Sequence, residues 1–262
     1  MDRIQKQRKD LLQDICADMK SDNRYYHQTK KETKLIFNDD YNILYCYIAK
    51  VGCTNWKRIF IVLSGVQNST LSIPHTVAHT HNHSTISRTG HRMQNYTSFL
   101  FVRHPFQRLL SAYRNKFEIP DEHQFEKTLG RRIISLYRSN TTDKKHVMFS
   151  EFVRFLLNSK SKSSFNSHWD FQHKICAVCE RSYDFIGHFE NIVEESNYLL
   201  RSIGVTNLSF PDAFSTHATN SSDENIYLKY FSQIPPDDII KLYELYKWDF
   251  KLFGYPFPQE LF

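Results

Sequence analysis

The chain has 262 residues, 40% of them hydrophobic and 24% charged, with 7 Gly, 8 Pro and a net charge of +6. This composition fits a folded globular protein with a sizeable core and excludes collagen-like, low-complexity and disordered classes. Apolar runs such as Ile59 to Leu63 and Phe99 to Val102 fall far short of the roughly 20 residues of a membrane helix.

The opening residues Met1-Asp2-Arg3-Ile4-Gln5-Lys6 lack the apolar stretch of a secretory signal. A targeting or anchoring element is therefore expected to be missing from this chain. Charge is unevenly spread: residues 1–49 sum to +1, residues 50–145 to +10 and residues 146–262 to −5. The basic middle third suggests an anionic partner, while a solvated basic face accounts for the same count. Five Cys, at 16, 46, 53, 176 and 179, cannot all pair within one chain. Asn-X-Ser/Thr acceptors begin at Asn68, Asn82, Asn95, Asn140, Asn207 and Asn220. About two are expected from the composition, so the excess leans toward the secretory pathway.

In chain order, residues 1–40 are polar with a short apolar face at Leu11, Leu12 and Ile15, which reads as a peripheral arm before a single domain over 41–262. Ile43 to Ile48 has strand length and composition. After a tight loop at 49–55, Trp56 to Leu63 reads as a helix stopped at Gly65. The same strand-loop-helix unit recurs with a strand at 97–102 and a helix at 106–117, and again with 183–189 and 192–203. Further helices are expected at 122–138, at 149–157 with Ser150 as N-cap, and at 236–252 behind Pro235-Pro236-Asp237-Asp238. Ser/Asn/Thr-rich loops fill 158–170 and 205–225. Alternating strands and helices predict an α/β fold, a central parallel sheet flanked by helices, with ligands at the carboxyl ends of the strands.

Those strand ends point to two anion sites. The first is Lys50-Val51-Gly52-Cys53-Thr54-Asn55-Trp56-Lys57-Arg58, where a helix N-terminus offers unpaired N–H groups and Lys50, Thr54, Asn55 and Arg58 add side-chain donors. An ordinary β-α turn with surface lysines is the plainer alternative. The pattern G-x-x-x-x-G-K-[ST] is absent, which disfavours a kinase or NTPase of that type. In the second site Arg103 ends a strand and Ser111 lies in the next helix, so both reach one phosphate. Two neighbouring sites imply a ligand with two separated anionic groups.

Ala-Lys-Val-Gly-Cys-Thr-Asn-Trp-Lys-Arg at 49–58 and Phe-Val-Arg-His-Pro-Phe-Gln-Arg-Leu-Leu-Ser-Ala-Tyr-Arg-Asn-Lys-Phe at 101–117 resemble the two donor-binding motifs of Golgi carbohydrate sulfotransferases. The subgroup resembled contains the chondroitin and dermatan 4-O-sulfotransferases and the HNK-1 sulfotransferase. The likeness continues through Glu151-Phe152-Val153, His168-Trp169, Cys176-Ala177-Val178-Cys179, Tyr183 to Gly187 and Leu242 to Phe250.

That resemblance implies a P-loop-like sulfotransferase fold. It also implies transfer of a sulfuryl group from 3′-phosphoadenosine-5′-phosphosulfate (PAPS), without a metal, to a glycan hydroxyl in the Golgi lumen. O4 of GalNAc in a chondroitin- or dermatan-type chain is the expected acceptor. The partner is then an anionic glycan and not a nucleic acid, and any membrane attachment lies in an anchor outside this sequence. By position, the loop from Lys50 through Val51, Gly52, Cys53, Thr54, Asn55 and Trp56, with Arg58, corresponds to the 5′-phosphosulfate site. Arg103 and Ser111 correspond to the 3′-phosphate clamp. Lys50 suits the leaving oxygen, and the base is expected at His79, with His168 second. A non-catalytic glycan-binding relative is the alternative reading. A zinc site from His75, His79, His81 and His83, or from His173, Cys176 and Cys179, has only thin spacing evidence. In an oxidising lumen Cys176 and Cys179 are expected in disulfides, with Cys16, Cys46 and Cys53 as possible partners. Ala49 and His104 depart from the Pro and the acidic residue usual in the family.

Overall fold

The computed structural model describes residues 1–21, 34–81, 95–118, 125–138, 146–158, 165–212 and 219–262. The start of the helix expected from 122, His83, and the acceptors at Asn82 and Asn140 lie outside those residues.

Four strands form one sheet in the order β1-β2-β3-β4: β1 (Leu35–Asn38), β2 (Ile43–Cys46), β3 (Thr97–Val102) and β4 (Phe185–His188). β2, β3 and β4 run parallel, with Tyr45 opposite Phe99 and Phe99 opposite Phe185, while β1 returns antiparallel on β2. β2 is buried along its length and β3 almost so, the pattern expected of parallel strands covered on both faces. The sheet is thus α/β and mostly parallel.

The helices are α1 (Asp2–Ser21), α2 (Cys53–Leu63), α3 (His75–Thr80), α4 (Pro105–Tyr113), α5 (Arg131–Tyr137), α6 (Phe149–Asn158), α7 (Gln172–Ile175), α8 (Ile192–Ser202), α9 (Glu224–Phe231) and α10 (Pro236–Leu252). One core surrounds the sheet, where Trp56 of α2 packs 4.6 Å from Phe99 and 5.7 Å from Phe210 between ring centroids. A second core joins α4, α6, α9 and α10 through Phe106, Phe152, Phe231 and Phe250.

Three differences from the sequence reading have physical causes. Residues 1–40, expected at the periphery, supply α1 and β1, and Leu12 and Cys16 of α1 enter the core. The Gln5 side chain receives the Ile186 N–H and donates to the Ile186 carbonyl, so it occupies the free edge of β4 as a neighbouring strand would. Arg8 clamps Glu195 with both terminal nitrogens, at 2.7 and 2.9 Å. Secondly, α6 begins at Phe149, not behind Ser150. The Glu151 carboxylate accepts the Met148 N–H while paired to Arg138, and it takes the place of the expected cap. Thirdly, α4 ends at Tyr113 and continues as a π turn over Arg114–Glu118, a local widening that often accompanies functional positions.

Two disulfides, Cys16–Cys179 and Cys46–Cys176, tie α1 and β2 to the segment after α7, and leave Cys53 as a buried thiol. With both Cys176 and Cys179 oxidised, the zinc set that included them loses two of its ligands.

Candidate active site

The parallel strands β2 and β3 both end at one cavity of about 800 Å³. Its walls include Lys50, Gly52, Cys53 and Thr54 from the β2–α2 loop, His79 from α3, Arg103 and Ser111 around α4, and His168. Eight residues singled out from the sequence therefore line one cavity. Val51 and Trp56 sit instead in the core with no exposure, where they fix the loop and helix from behind. Asn55 and Arg58 act on each other: Arg58 donates to Asn55 Oδ1 at 2.9 Å and to the Ile73 carbonyl at 2.9 Å.

The loop geometry is set by two buried arginines. Lys50 and Gly52 both have φ of +70°, a left-handed conformation that costs a residue with a side chain on the order of 1–3 kcal/mol. Arg103 Nη1 donates to the Lys50 carbonyl at 3.2 Å and Arg108 Nε to the Ala49 carbonyl at 3.0 Å. These bonds hold the peptides in that conformation, so the helix-start amides of Cys53 and Thr54, which have no intrahelical acceptor, are left as donors for a ligand at the cavity these residues line. A Cβ on Gly52 would lie 2.3 Å from Ile192 Cδ1, so α8 also requires glycine there. Arg108 reaches further, to the carbonyls of Asp170 at 2.7 Å and Ser167 at 3.0 Å. It thereby joins the segment carrying Lys50 to the segment carrying His168.

Arg103 is almost fully buried. Its Nη2 donates to Ser221 and Ser222 hydroxyls at 2.8 and 2.7 Å, and its guanidinium carbon lies 4.1 Å from the Phe189 ring centroid. Among the described residues no protein group pairs with Arg103 Nε. Burial pulls its pKa down to about 10, against the raising effect of Glu190, so it stays cationic at neutral pH. Ser111 Oγ lies 3.0 Å from Thr219 Oγ1, which lies 3.0 Å from Ser221 Oγ. Glu190 supplies an acid near position 104: it accepts the His104 N–H at 2.8 Å. His104 itself is half-buried, edge-on against Phe250 and Tyr255, and desolvation lowers its pKa to about 4.

Sequence reasoning missed Asn115, Lys116, Thr219, Ser221, Ser222 and Phe189. Asn115 lies four residues after Ser111, on the same helix face, which is the signal that was present. The π turn lets its neighbour Lys116 line the cavity as well. Thr219, Ser221 and Ser222 stood in a polar loop with no periodic signature.

The cavity can bind a ligand with two anionic ends, one against the helix start with Lys50 and Lys116, the other against Arg103 and Ser111. The sulfotransferase family profile matches residues 33–256. The chain belongs to the sulfotransferase family. This sulfotransferase is 37% identical over 276 residues to carbohydrate sulfotransferase 11 of Rattus norvegicus, covering 98% of this chain and 78% of that protein. It is 34% identical to carbohydrate sulfotransferase 8 of Homo sapiens, covering 98% and 63%, and 34% identical to carbohydrate sulfotransferase 12 of Mus musculus, covering 99% and 70%. No solved structure matches it. Among the described residues of this sulfotransferase no helix is long and apolar enough to cross a membrane.

Proposed function

We propose that the protein transfers a sulfuryl group from PAPS to a sugar hydroxyl, with O4 of GalNAc in a chondroitin- or dermatan-type glycan as acceptor. One observation carries this reading: Lys50, Gly52, Thr54, Arg103 and Ser111 line a single cavity at adjacent strand ends. The buried Arg103 Nε, which has no hydrogen-bond partner among the described residues, is the kind of donor that a phosphate oxygen completes, and the cavity volume suits a nucleotide.

In this reading Arg103 and Ser111 hold the 3′-phosphate, with Arg103 presented at the correct height by Ser221, Ser222 and Phe189. Lys50 and the amides of the α2 N-terminus hold the 5′-phosphosulfate. Lys50 meets the negative charge that grows on the phosphate oxygen as its bond to sulfur breaks. The acceptor oxygen attacks sulfur in line and loses its proton to a histidine of the cavity wall. The relatives' names, all carbohydrate sulfotransferases, support a glycan acceptor, and the +10 charge of residues 50–145 suits an anionic one. Two disulfides support an oxidising compartment, for which we propose the Golgi lumen.

The test is transfer from labelled PAPS to desulfated chondroitin, dermatan, heparosan and HNK-1-type acceptors, with binding of the desulfated donor product (PAP) measured in parallel. Wild type is expected to sulfate the chondroitin-type chains. Arg103→Ala is expected to weaken PAP binding by about 100-fold, the loss of a charge-assisted bond of about 3 kcal/mol, and Lys50→Ala to abolish transfer. Tight PAP binding without transfer to any acceptor would point to a degenerate enzyme or to an acceptor outside this panel, because a pure glycan binder, the alternative reading, has no need of PAP. Absence of PAP binding would sink the sulfotransferase chemistry altogether.

A further inference from the structure

Among the described residues three histidines line the cavity, His75, His79 and His168; His75 packs on His79 with ring centroids 4.5 Å apart, and the hydrogen bonds that the His79 and His168 rings make set those two apart. The Asn166 side-chain oxygen accepts the His168 backbone N–H at 3.0 Å and lies 2.6 Å from Nδ1 of the same ring. An amide atom that accepts an N–H is the oxygen and cannot be the nitrogen, so Nδ1 must be the donor in the second contact. His168 therefore carries its proton on Nδ1, and Nε2 of the neutral ring keeps a lone pair. At His79 the order is reversed. Lys57 Nζ lies 3.4 Å from Nδ1, and an ammonium has only protons to give, so Nδ1 accepts. The proton of His79 is then on Nε2, which donates to Thr54 Oγ1 at 2.9 Å.

We propose that His168 Nε2 takes the proton of the acceptor hydroxyl, while His79 is a hydrogen-bond donor that orients Thr54, with Asn166 and Lys57 as positioning residues that fix the two tautomers. This rests on the sulfotransferase reading of the cavity. The acceptor oxygen forms the new bond to sulfur, and the old sulfur–oxygen bond breaks with its electron pair on the 5′-phosphate of PAP. The proton passes to His168 Nε2, and the resulting imidazolium keeps its Nδ1–H on Asn166.

The surroundings of His168 tie this step to the donor. Its ring faces Phe125 at 5.9 Å and Trp169 at 6.5 Å. Burial first, then the charges of Lys116 and Lys50, with Arg108 and Lys34 behind them, lower its pKa to about 2. Lys50 and Lys116 line the same cavity. A donor carrying phosphates and a sulfuryl group offsets those two charges and so raises the basicity of His168. The basicity of His168 therefore rises with donor binding.

The experiment is long-range proton–nitrogen NMR of the wild-type protein labelled at histidine, with and without PAP. His168 is expected as the Nδ1–H tautomer and His79 as the Nε2–H tautomer, and saturation with PAP is expected to raise the His168 pKa by more than one unit. His168→Gln is expected to lower kcat at least 100-fold with PAP affinity within about threefold. Asn166→Leu is expected to shift the His168 tautomer and to lower kcat with KM unchanged, and Asn166→Asp to restore both. A PAP-binding wild type with the opposite tautomers, or a His168→Gln enzyme that keeps its kcat while His79→Gln loses it, overturns the proposal alone. A wild type that binds no PAP overturns it together with the parent reading.

Discussion

Lys50 Nζ donates to Asn115 Oδ1 at 3.0 Å across the cavity, although the two residues are 65 positions apart. The bond holds a flexible four-carbon chain at the cavity wall from a rigid helical turn, a placement that favours charge stabilisation during transfer. Asn115→Leu is expected to lower kcat about tenfold, the worth of one hydrogen bond to a charged group, with PAP affinity within about threefold. Steady-state kinetics beside calorimetry checks this; an unchanged kcat would remove Asn115 from the reaction.

Gly52 combines a φ of +70° with Ile192 Cδ1 2.3 Å from where a Cβ would stand, whereas Gly204, at φ +84°, has open space there. Gly52→Ala is expected to lower Tm by roughly 2–8 °C and to weaken PAP binding about tenfold, because α8 must move from the loop. Gly204→Ala carries the backbone strain alone and is expected to leave PAP binding intact. Equal PAP affinity for the two variants would show that the Ile192 contact does not shape the site.

The disulfides close chain separations of 163 and 130 residues, so each removes much of the unfolded chain's freedom. Replacing Cys16 and Cys179 together by Ala is expected to cost about 2–5 kcal/mol in denaturant unfolding. Mapping of non-reduced peptides should give Cys16 with Cys179 and Cys46 with Cys176. Cys53, nearly buried at the cavity wall, should react with a bulky thiol reagent far more slowly in the folded protein than after unfolding. Any other pairing contradicts the fold around β4.

His104 and His188 are half-buried rings whose pKa values desolvation lowers to about 4 and about 3. Between those values and about 6.5, the unfolded chain binds more protons than the native one, so stability rises with pH through this window and is lost as pH falls. Each ring is expected to cost on the order of 2 kcal/mol by pH 5 relative to pH 7. His104 Nδ1 also accepts the Gln107 N–H at the start of α4, a role that Asn can fill. His104→Asn should therefore show a shallower loss between pH 7 and pH 5 in urea titrations; a slope equal to wild type would contradict the assignment.

The amino-acid sequence by itself determined much of this molecule. β2 and the second half of β3 stand out as apolar runs, since strands covered on both faces need apolar side chains on both. α10 begins at Pro236 and ends at Leu252 as its proline, acids and apolar spacing predict. The placement of Lys50 and Arg103 at the ends of β2 and β3 was legible because it depends on local order alone: a strand, a tight turn and a helix start within a few residues. The tertiary structure decided what depends on meetings between distant segments. Gln5 seals the β4 edge, Arg108 joins the Lys50 and His168 segments, Ser221 and Ser222 support Arg103, and the cysteines pair across 163 and 130 positions. None of these carries a periodic signature, because a side chain's hydrogen-bond partner is set by where packing of the two cores brings remote backbone, and short-range pattern encodes only each element's own face.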